Sequence, residues 1–257
     1  MSLIRLENVY KSFGEKKVLN GLNLEIEKGE SLVILGGSGT GKSVLLKHII
    51  GLLKPDKGKV YIDEKDVTNF SKKEWYEIRK RFGMAFQEAA LFDFMTVFEN
   101  VAFPLKRHTN YTKKQIEKRV LECLELVGLR GNENLMPSEL SGGMRRRAGF
   151  ARAIALNPEI LLFDEPTTGL DPILTDQIDT VINDLRNSLD VTCITITHDM
   201  VSAFDIADKI AMLYQGEIVF KGTPEEFMNS ELEVIKRFLK GRICEEKINL
   251  NKEVNYE

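Results

Sequence analysis

The sequence predicts an α/β fold with parallel strands in its core and an antiparallel sheet at its N-terminal side. Three short apolar runs carry the first half of that expectation: ESLVILGG from Glu30, EILLFDE from Glu159 and DVTCITITHD from Asp190. Their continuous apolar centres are the pattern of strands buried on both faces of a parallel sheet. The stretches KKEWYEIRKRF from Lys72 and NYTKKQIEKRVLECLELVGL from Asn110 space apolar residues by three and four, as helices do. In the N-terminal third, SLIRLENV, KVLNGLNLEI and KGKVYID instead alternate apolar and polar residues, the habit of half-buried antiparallel strands.

Taken in chain order, the alternating strands come first, and ESLVILGG then feeds a glycine-rich loop. The helical pattern from Lys72 runs through Phe82. A second helix ends near Gly128, where the polar GNENLMPSE takes over. Two buried strands follow, and ADKIAMLYQGEIVFKG reads as a hairpin turning at Gln215-Gly216. FMNSELEVIKRFLKG, from Phe227, predicts an amphipathic helix before a polar tail. No internal repeat or low-complexity linker divides the chain. We expect one domain over 1–240, with a helical subdomain at about 88–155, and a tail over 241–257.

Composition narrows the class. The 257 residues are 43% apolar and 29% charged, ordinary for a globular chain, and the net charge of -3 does not favour nucleic acid as a partner. Cys123, Cys193 and Cys244 show no metal-ligand spacing, and their odd number suits a reducing compartment. No apolar run approaches the roughly 20 residues that span a bilayer. MSLIRLENVY lacks the pattern of a signal peptide. A cytoplasmic protein is expected, with any membrane role exercised through a partner.

Two motifs carry chemistry. GGSGTGKS (Gly36, Gly37, Ser38, Gly39, Thr40, Gly41, Lys42, Ser43) fits the phosphate-binding pattern G-x-x-x-x-G-K-[ST] between a predicted strand and helix. Glycines let backbone N–H groups turn toward a phosphate, and the helix N-terminus adds its positive end. Lys42 can reach the β- and γ-phosphates of a bound nucleotide, and the Ser43 hydroxyl can ligate Mg²⁺. EILLFDEPTTGLDP supplies carboxylates at a strand end. Asp164 can hold Mg²⁺, directly or through water, and Glu165 can polarise an attacking water. Together they predict a P-loop NTPase.

The order GGSGTGKS, Gln87, LSGG, ILLFDE, GLDP and His198 resembles the ATP-binding-cassette (ABC) ATPases over nearly the whole chain. The resemblance implies a mixed core sheet, an antiparallel β subdomain and an inserted helical subdomain. It also implies a head-to-tail homodimer with ATP sandwiched between subunits. In that arrangement Ser141, Gly142 and Gly143 of LSGG face the γ-phosphate held by the other copy. By the same resemblance Phe13 stacks on adenine, Gln87 reaches metal and water, His198 contacts the γ-phosphate and Asp171 speaks across the dimer. Arg147 and Arg152 are assigned to fold and interface support. Taken alone, the triple arginine after LSGGM would be a solvated face.

Met144 stands where most of the family has Gln. LSGGM with RRRAGFARAIA, and FQEAALFDFMTVFENVAFPLKRHT from Phe86, resemble the Mla-type branch that serves transporters with MCE-domain subunits. That branch implies an integral-membrane permease, an MCE-domain lipid-binding subunit, a phospholipid cargo and a place on the cytoplasmic face of the inner membrane. Leu91, Phe92, Phe94 and Met95 are candidates for the permease dock. An importer ATPase for amino acids or another small solute is the alternative. A DNA-repair or translation ABC protein is disfavoured, because a second cassette, a coiled-coil insertion and zinc motifs are lacking. A purely structural adaptor is disfavoured by Glu165 and His198.

Overall fold

The structure, a computed structural model, describes residues 2–241. β1 (Ser2–Phe13) and β2 (Lys16–Glu27) pair antiparallel and set Ile4, Leu6, Leu24 and Ile26 on a buried face. β3 (Ser31–Leu35) opens the core sheet and leads through the glycine-rich loop into α1 (Lys42–Ile49). β4 (Lys57–Ile62) and β5 (Lys65–Asp66) complete a four-stranded sheet in the order β2-β1-β4-β5.

α2 (Lys72–Arg79) starts with a capping box between Ser71 and Glu74 and is shorter than its sequence pattern. Arg79 donates to the carbonyls of Ile50 (2.9 Å) and Gly51 (2.7 Å). Phe82 does not continue the helix but opens β6 (Phe82–Ala85), an edge strand parallel to β7 (Ile160–Asp164). Gly83 makes that strand fit, since a Cβ there would lie 2.4 Å from the Ala153 carbonyl oxygen.

The helices between β6 and β7 are α3 (Val97–His108), α4 (Lys113–Leu126) and α5 (Gly142–Ala153). Thr96 with Glu99 and Thr112 with Gln115 cap the first two, as their T-x-x-E and T-x-x-Q sequences dictate. After β7 come α6 (Pro172–Leu189), β8 (Thr192–Thr197), α7 (Met200–Ile206) and the hairpin β9 (Lys209–Tyr214) and β10 (Glu217–Gly222). Gln215 and Gly216 both have positive φ (49° and 85°), as a tight hairpin turn requires. The core sheet runs β10-β9-β3-β8-β7-β6, parallel except for β10.

The continuous apolar runs have the predicted reason. Val33 and Leu35 of β3 face the cluster shared with the helices, and Leu32 and Ile34 face the opposite cluster. β7 divides likewise, Leu161 and Phe163 against Ile160 and Leu162. α1 lies in the second cluster, with Leu45, Leu46 and Ile49 fully buried beside the antiparallel sheet. Both sheets thus fix α1, and the loop before it. Burial pushes the Cys123 thiol up to about 11 and that of Cys193 up to about 12, so both serve as small apolar filling.

The C-terminal helical pattern is interrupted. α8 (Pro224–Met228) stops, and helix resumes only over 233–241. Asn229 and Ser230 favour the break, and the Ser230 hydroxyl accepts from the Leu232 N–H at 3.3 Å. Ile235 is buried in the second helical stretch, with Val234, Phe238 and Leu239 packed on the core. The predicted tail beyond 241 lies outside the described residues. Among those residues, no helix is long and apolar enough to cross a membrane.

Candidate active site

A cleft of about 800 Å³ opens where β3, β7 and β8 end. Gly37, Ser38, Gly39, Gly41, Lys42, Ser43, Asp164, Glu165, His198, Gln87 and Phe13 all line it. Strand ends of a parallel sheet collect ligand-binding groups because each loop returns over the same edge.

The loop is built from within. Lys42 is 6% exposed, and its Nζ donates to the carbonyls of Gly36 (2.8 Å) and Gly37 (3.2 Å). Thr40 Oγ1 closes the turn by donating to the Gly37 carbonyl at 2.9 Å. Gly41 has φ 107°, and a Cβ there would lie 2.9 Å from Val18 Cγ1, so both backbone and space demand glycine. Gly36 and Thr40 support the loop from behind without lining the cleft.

Glu165 follows the last residue of β7 and takes φ 50°, in the left-handed region. Its Oε2 accepts from Thr168 Oγ1 at 2.9 Å and lies 2.7 Å from His198 Nδ1. Its Oε1 is 3.3 Å from Lys42 Nζ. Burial opposes its ionisation, but Lys42, Thr168 and His198 outweigh burial and hold the carboxyl below the usual range. Asp164 shows the opposite balance. Burial, then the Glu165 charge, raises it despite Lys47, Lys42 and a hydrogen bond with Ser43. A buried carboxylate that is costly to ionise beside a serine hydroxyl suits a divalent cation, whose charge offsets that cost. Ser43, Asp164 and phosphate oxygens fit Mg²⁺ as a donor set.

Four predicted residues lie elsewhere. Ser141 caps α5, its Oγ accepting from the Met144 N–H at 3.3 Å. Gly142 and Gly143 follow in that first turn. Asp171 caps α6, accepting from the Leu174 N–H at 2.9 Å. None of the four lines the cleft. A Cβ on Gly142 would meet only Leu170 Cδ2 at 3.9 Å, and one on Gly143 Leu174 Cδ2 at 3.5 Å. Packing within the described residues does not require glycine at either position.

The arginines of α5 are ties to backbone carbonyls. Arg145 donates to Leu140, Arg146 to Gln87 (3.3 Å) and Thr168, and Arg147 to Val127 and Gly128. Arg152 donates to Ala89 and Ala90, both at 2.7 Å. The arginines thus hold the segment that carries Gln87. Arg152→Ala should cost about 2 kcal/mol, the loss of two charged-donor hydrogen bonds of which the one to Ala89 is part-buried, and lower the melting temperature. An unchanged melt would show these ties to be dispensable. Sequence reasoning missed Arg146, Thr168, Lys16, Val18 and Phe238. The first two connect distant segments, and the other three line the cleft without any motif to mark them.

The ABC transporter family model matches residues 19–168. The probable ribonucleotide transport ATP-binding protein Mkl of Mycobacterium leprae is 44% identical over 239 residues, 93% of this chain and 69% of that protein. The intermembrane phospholipid transport system ATP-binding protein MlaF of Haemophilus influenzae is 44% identical over 240 residues, 93% of this chain and 91% of that protein. The methionine import ATP-binding protein MetN of Carboxydothermus hydrogenoformans is 43% identical over 242 residues, 94% and 72% respectively. In structure, the chain is similar to the dimeric post-hydrolysis state of the ATP-binding cassette MJ0796 bound to ADP and Pi. That match has TM-score 0.78 and 35% identity, over 86% of this chain and 98% of that one. This chain belongs to the ABC transporter family, as one of its ATP-hydrolysing cassettes.

Proposed function

We propose that this chain energises phospholipid transport between membranes of the cell envelope, as a homodimer docked on the cytoplasmic face of an integral-membrane permease. The observation that carries the hydrolytic part is the joining of Lys42, Asp164, Glu165 and His198 on one cleft. ATP phosphates lie on the Gly36–Ser43 loop, the adenine stacks on Phe13, and Ser43, Asp164 and Gln87 hold Mg²⁺. Bound Mg²⁺ supplies charge neutralisation on the phosphates. Glu165 orients and polarises the attacking water, and His198 steadies both Glu165 and the γ-phosphate. Phosphate oxygens compete with Glu165 Oε1 for Lys42 Nζ and so raise the basicity of the carboxylate.

In the head-to-tail pair, Ser141, Gly142 and Gly143 face the other copy's γ-phosphate, and Asp171 lies at the seam. Gly142 supports this reading, because it is partly exposed, its bareness serves no internal contact, and it admits a close approach from outside. We assign the cassette to 1–240, with the helical insert at about 88–155 and the remaining 241–257 as a tail.

The dock for the permease is an apolar groove of about 340 Å³ lined by Phe86, Ala90, Phe92, Phe103 and Arg152 among others. Phe94, 75% exposed, lies at its side and packs against Phe92 (centroids 5.8 Å apart). The phospholipid cargo rests on the similarity to MlaF, which spans nearly all of both chains, and the MCE-domain partner on the resemblance of LSGGM and the stretch from Phe86 to the Mla-type branch. The similarity to MetN favours the second reading, an importer of a small solute. A pull-down from native membranes in mild detergent, read by mass spectrometry, separates them. Enriched phospholipid with an MCE-domain protein is expected. A solute-binding protein with no enriched lipid would replace the cargo and leave the ATPase in place.

A further inference from the structure

α6 and α7 each begin at a loop of the reaction. Asp171 caps α6, and Asp199, next to His198, caps α7 by accepting from the Val201 N–H at 3.0 Å. The two helices are joined by one buried polar contact. Ser202 Oγ donates to Asp179 Oδ1 at 2.6 Å, with Ser202 fully buried and Asp179 2% exposed. Further along, Asn183 Nδ2 donates to the Asp205 carbonyl at 3.1 Å. The helices are therefore pinned at two points, which fixes their mutual register as well as their distance.

The Asp179 contact is an expensive one. Its Oδ2 is buried with no hydrogen-bond partner. The charged groups facing it are Asp205 and Asp199 of the α7 segment and Asp176 on its own helix, all carboxylates. A buried carboxyl that is only half satisfied, among like charges, is worse for stability than an apolar side chain of similar size. What it adds to this interface is direction, since one oxygen meets one hydroxyl four residues beyond His198.

We propose that Asp179 is a positioning residue for ATP hydrolysis: by holding Ser202 it locks α7 to α6 and so fixes His198 relative to the loop at Asp171. This rests on the role assigned to His198 above. His198 already lies 2.7 Å from Glu165 in the single chain. Through the clasp, a displacement of the Asp171 loop at the subunit seam moves this pair's histidine with it, so its reach to the γ-phosphate follows the closure of the seam.

The clasp also has a pH signature. Burial, against the Ser202 hydrogen bond and with the neighbouring carboxylates, pushes the Asp179 carboxyl up to about 7. The folded chain then holds this proton more tightly than the unfolded chain. Its contribution to stability is full below about pH 4 and is lost as pH rises through about 7.

Steady-state ATPase assays and thermal melts on the full-length chain test the proposal with Ser202→Ala, Asp179→Asn and His198→Ala. Ser202→Ala is expected to lower kcat about tenfold and leave the KM for ATP within about twofold, since only the hydrogen bond that orients α7 is removed. Asp179→Asn keeps an acceptor for Ser202. It should hold kcat within about twofold and melt higher than the parent at about pH 8 but not at about pH 4. Unchanged kcat in Ser202→Ala, with turnover lost in His198→Ala, would overturn the clasp alone. Full turnover in His198→Ala would remove the role assigned to that histidine, and the clasp with it. A parallel rise in KM would mark a general structural defect and overturn the positioning role. If Ser202→Ala does not fold, Asp179→Asn decides. Retained kcat with the altered pH dependence supports the clasp, and a loss as large as that of His198→Ala overturns it.

Discussion

Glu165→Gln is expected to bind ATP, pair with a second copy and fail to turn over. The amide keeps the size of the side chain and an oxygen that can accept from Thr168 Oγ1, now at 2.9 Å. It removes the negative charge that polarises water, a contribution of about 10²–10⁴-fold in rate. The substitution also relieves Asp164, because the Glu165 charge is the second cause, after burial, that raises that carboxyl. Asp164 should ionise more readily in the variant and Mg-ATP should bind at least as tightly. Single-turnover assays with labelled ATP, together with light scattering, would check both halves. Hydrolysis at the parent rate would remove Glu165 from its role, whatever the state of the dimer.

Lys42→Ala should abolish useful nucleotide binding. The Lys42 ammonium joins the Gly36 and Gly37 carbonyls to Glu165 Oε1 from a position only 6% exposed to solvent. Truncation removes the cation that reaches the phosphates and leaves the half-buried Glu165 without its strongest counter-charge. One buried charge-assisted contact to phosphate is worth on the order of a hundredfold in affinity. The clearest readout is the melting temperature with and without ATP. Ligand stabilisation grows with the ratio of ligand to dissociation constant, so the shift seen in the parent should vanish in the variant. An unchanged shift would mean that the loop binds phosphate through its backbone alone.

Much of the site was legible because its chemistry is local. A phosphate loop needs glycines, a lysine and a serine at fixed spacing, and EILLFDE delivers two carboxylates at the end of a strand whose apolar run announces burial. The central strands β3, β7 and β8 of the core sheet were readable for the same reason. Phe82 was misread because helical spacing continues as far as it. The Ala153 carbonyl, seventy residues away in sequence, and the Leu161 side chain exclude a side chain at Gly83. The break at Asn229–Leu232 escaped notice since apolar spacing is preserved across it. Arg146 carries no local pattern, for its partners are the Gln87 and Thr168 carbonyls brought near by the fold, whereas Thr168 reaches Glu165 from only three residues away, a contact that no motif marked. The role proposed for Ser141–Gly143 rests on family resemblance, as no spacing within one chain can reveal whether a segment serves another copy.

The arginines of α5 have a consequence for how such a cassette can diverge. Arg146 and Arg152 grip Gln87, Ala89 and Ala90 by their carbonyl oxygens, which every residue possesses. The attachment does not read side chains, so substitutions at the exposed positions of this segment can retune the face proposed for the permease without loosening it from the helix behind. The fixing of the segment and the choice of its partner are thereby assigned to separate atoms, and one hydrolytic engine can be fitted to different permeases by changes on its outer surface alone.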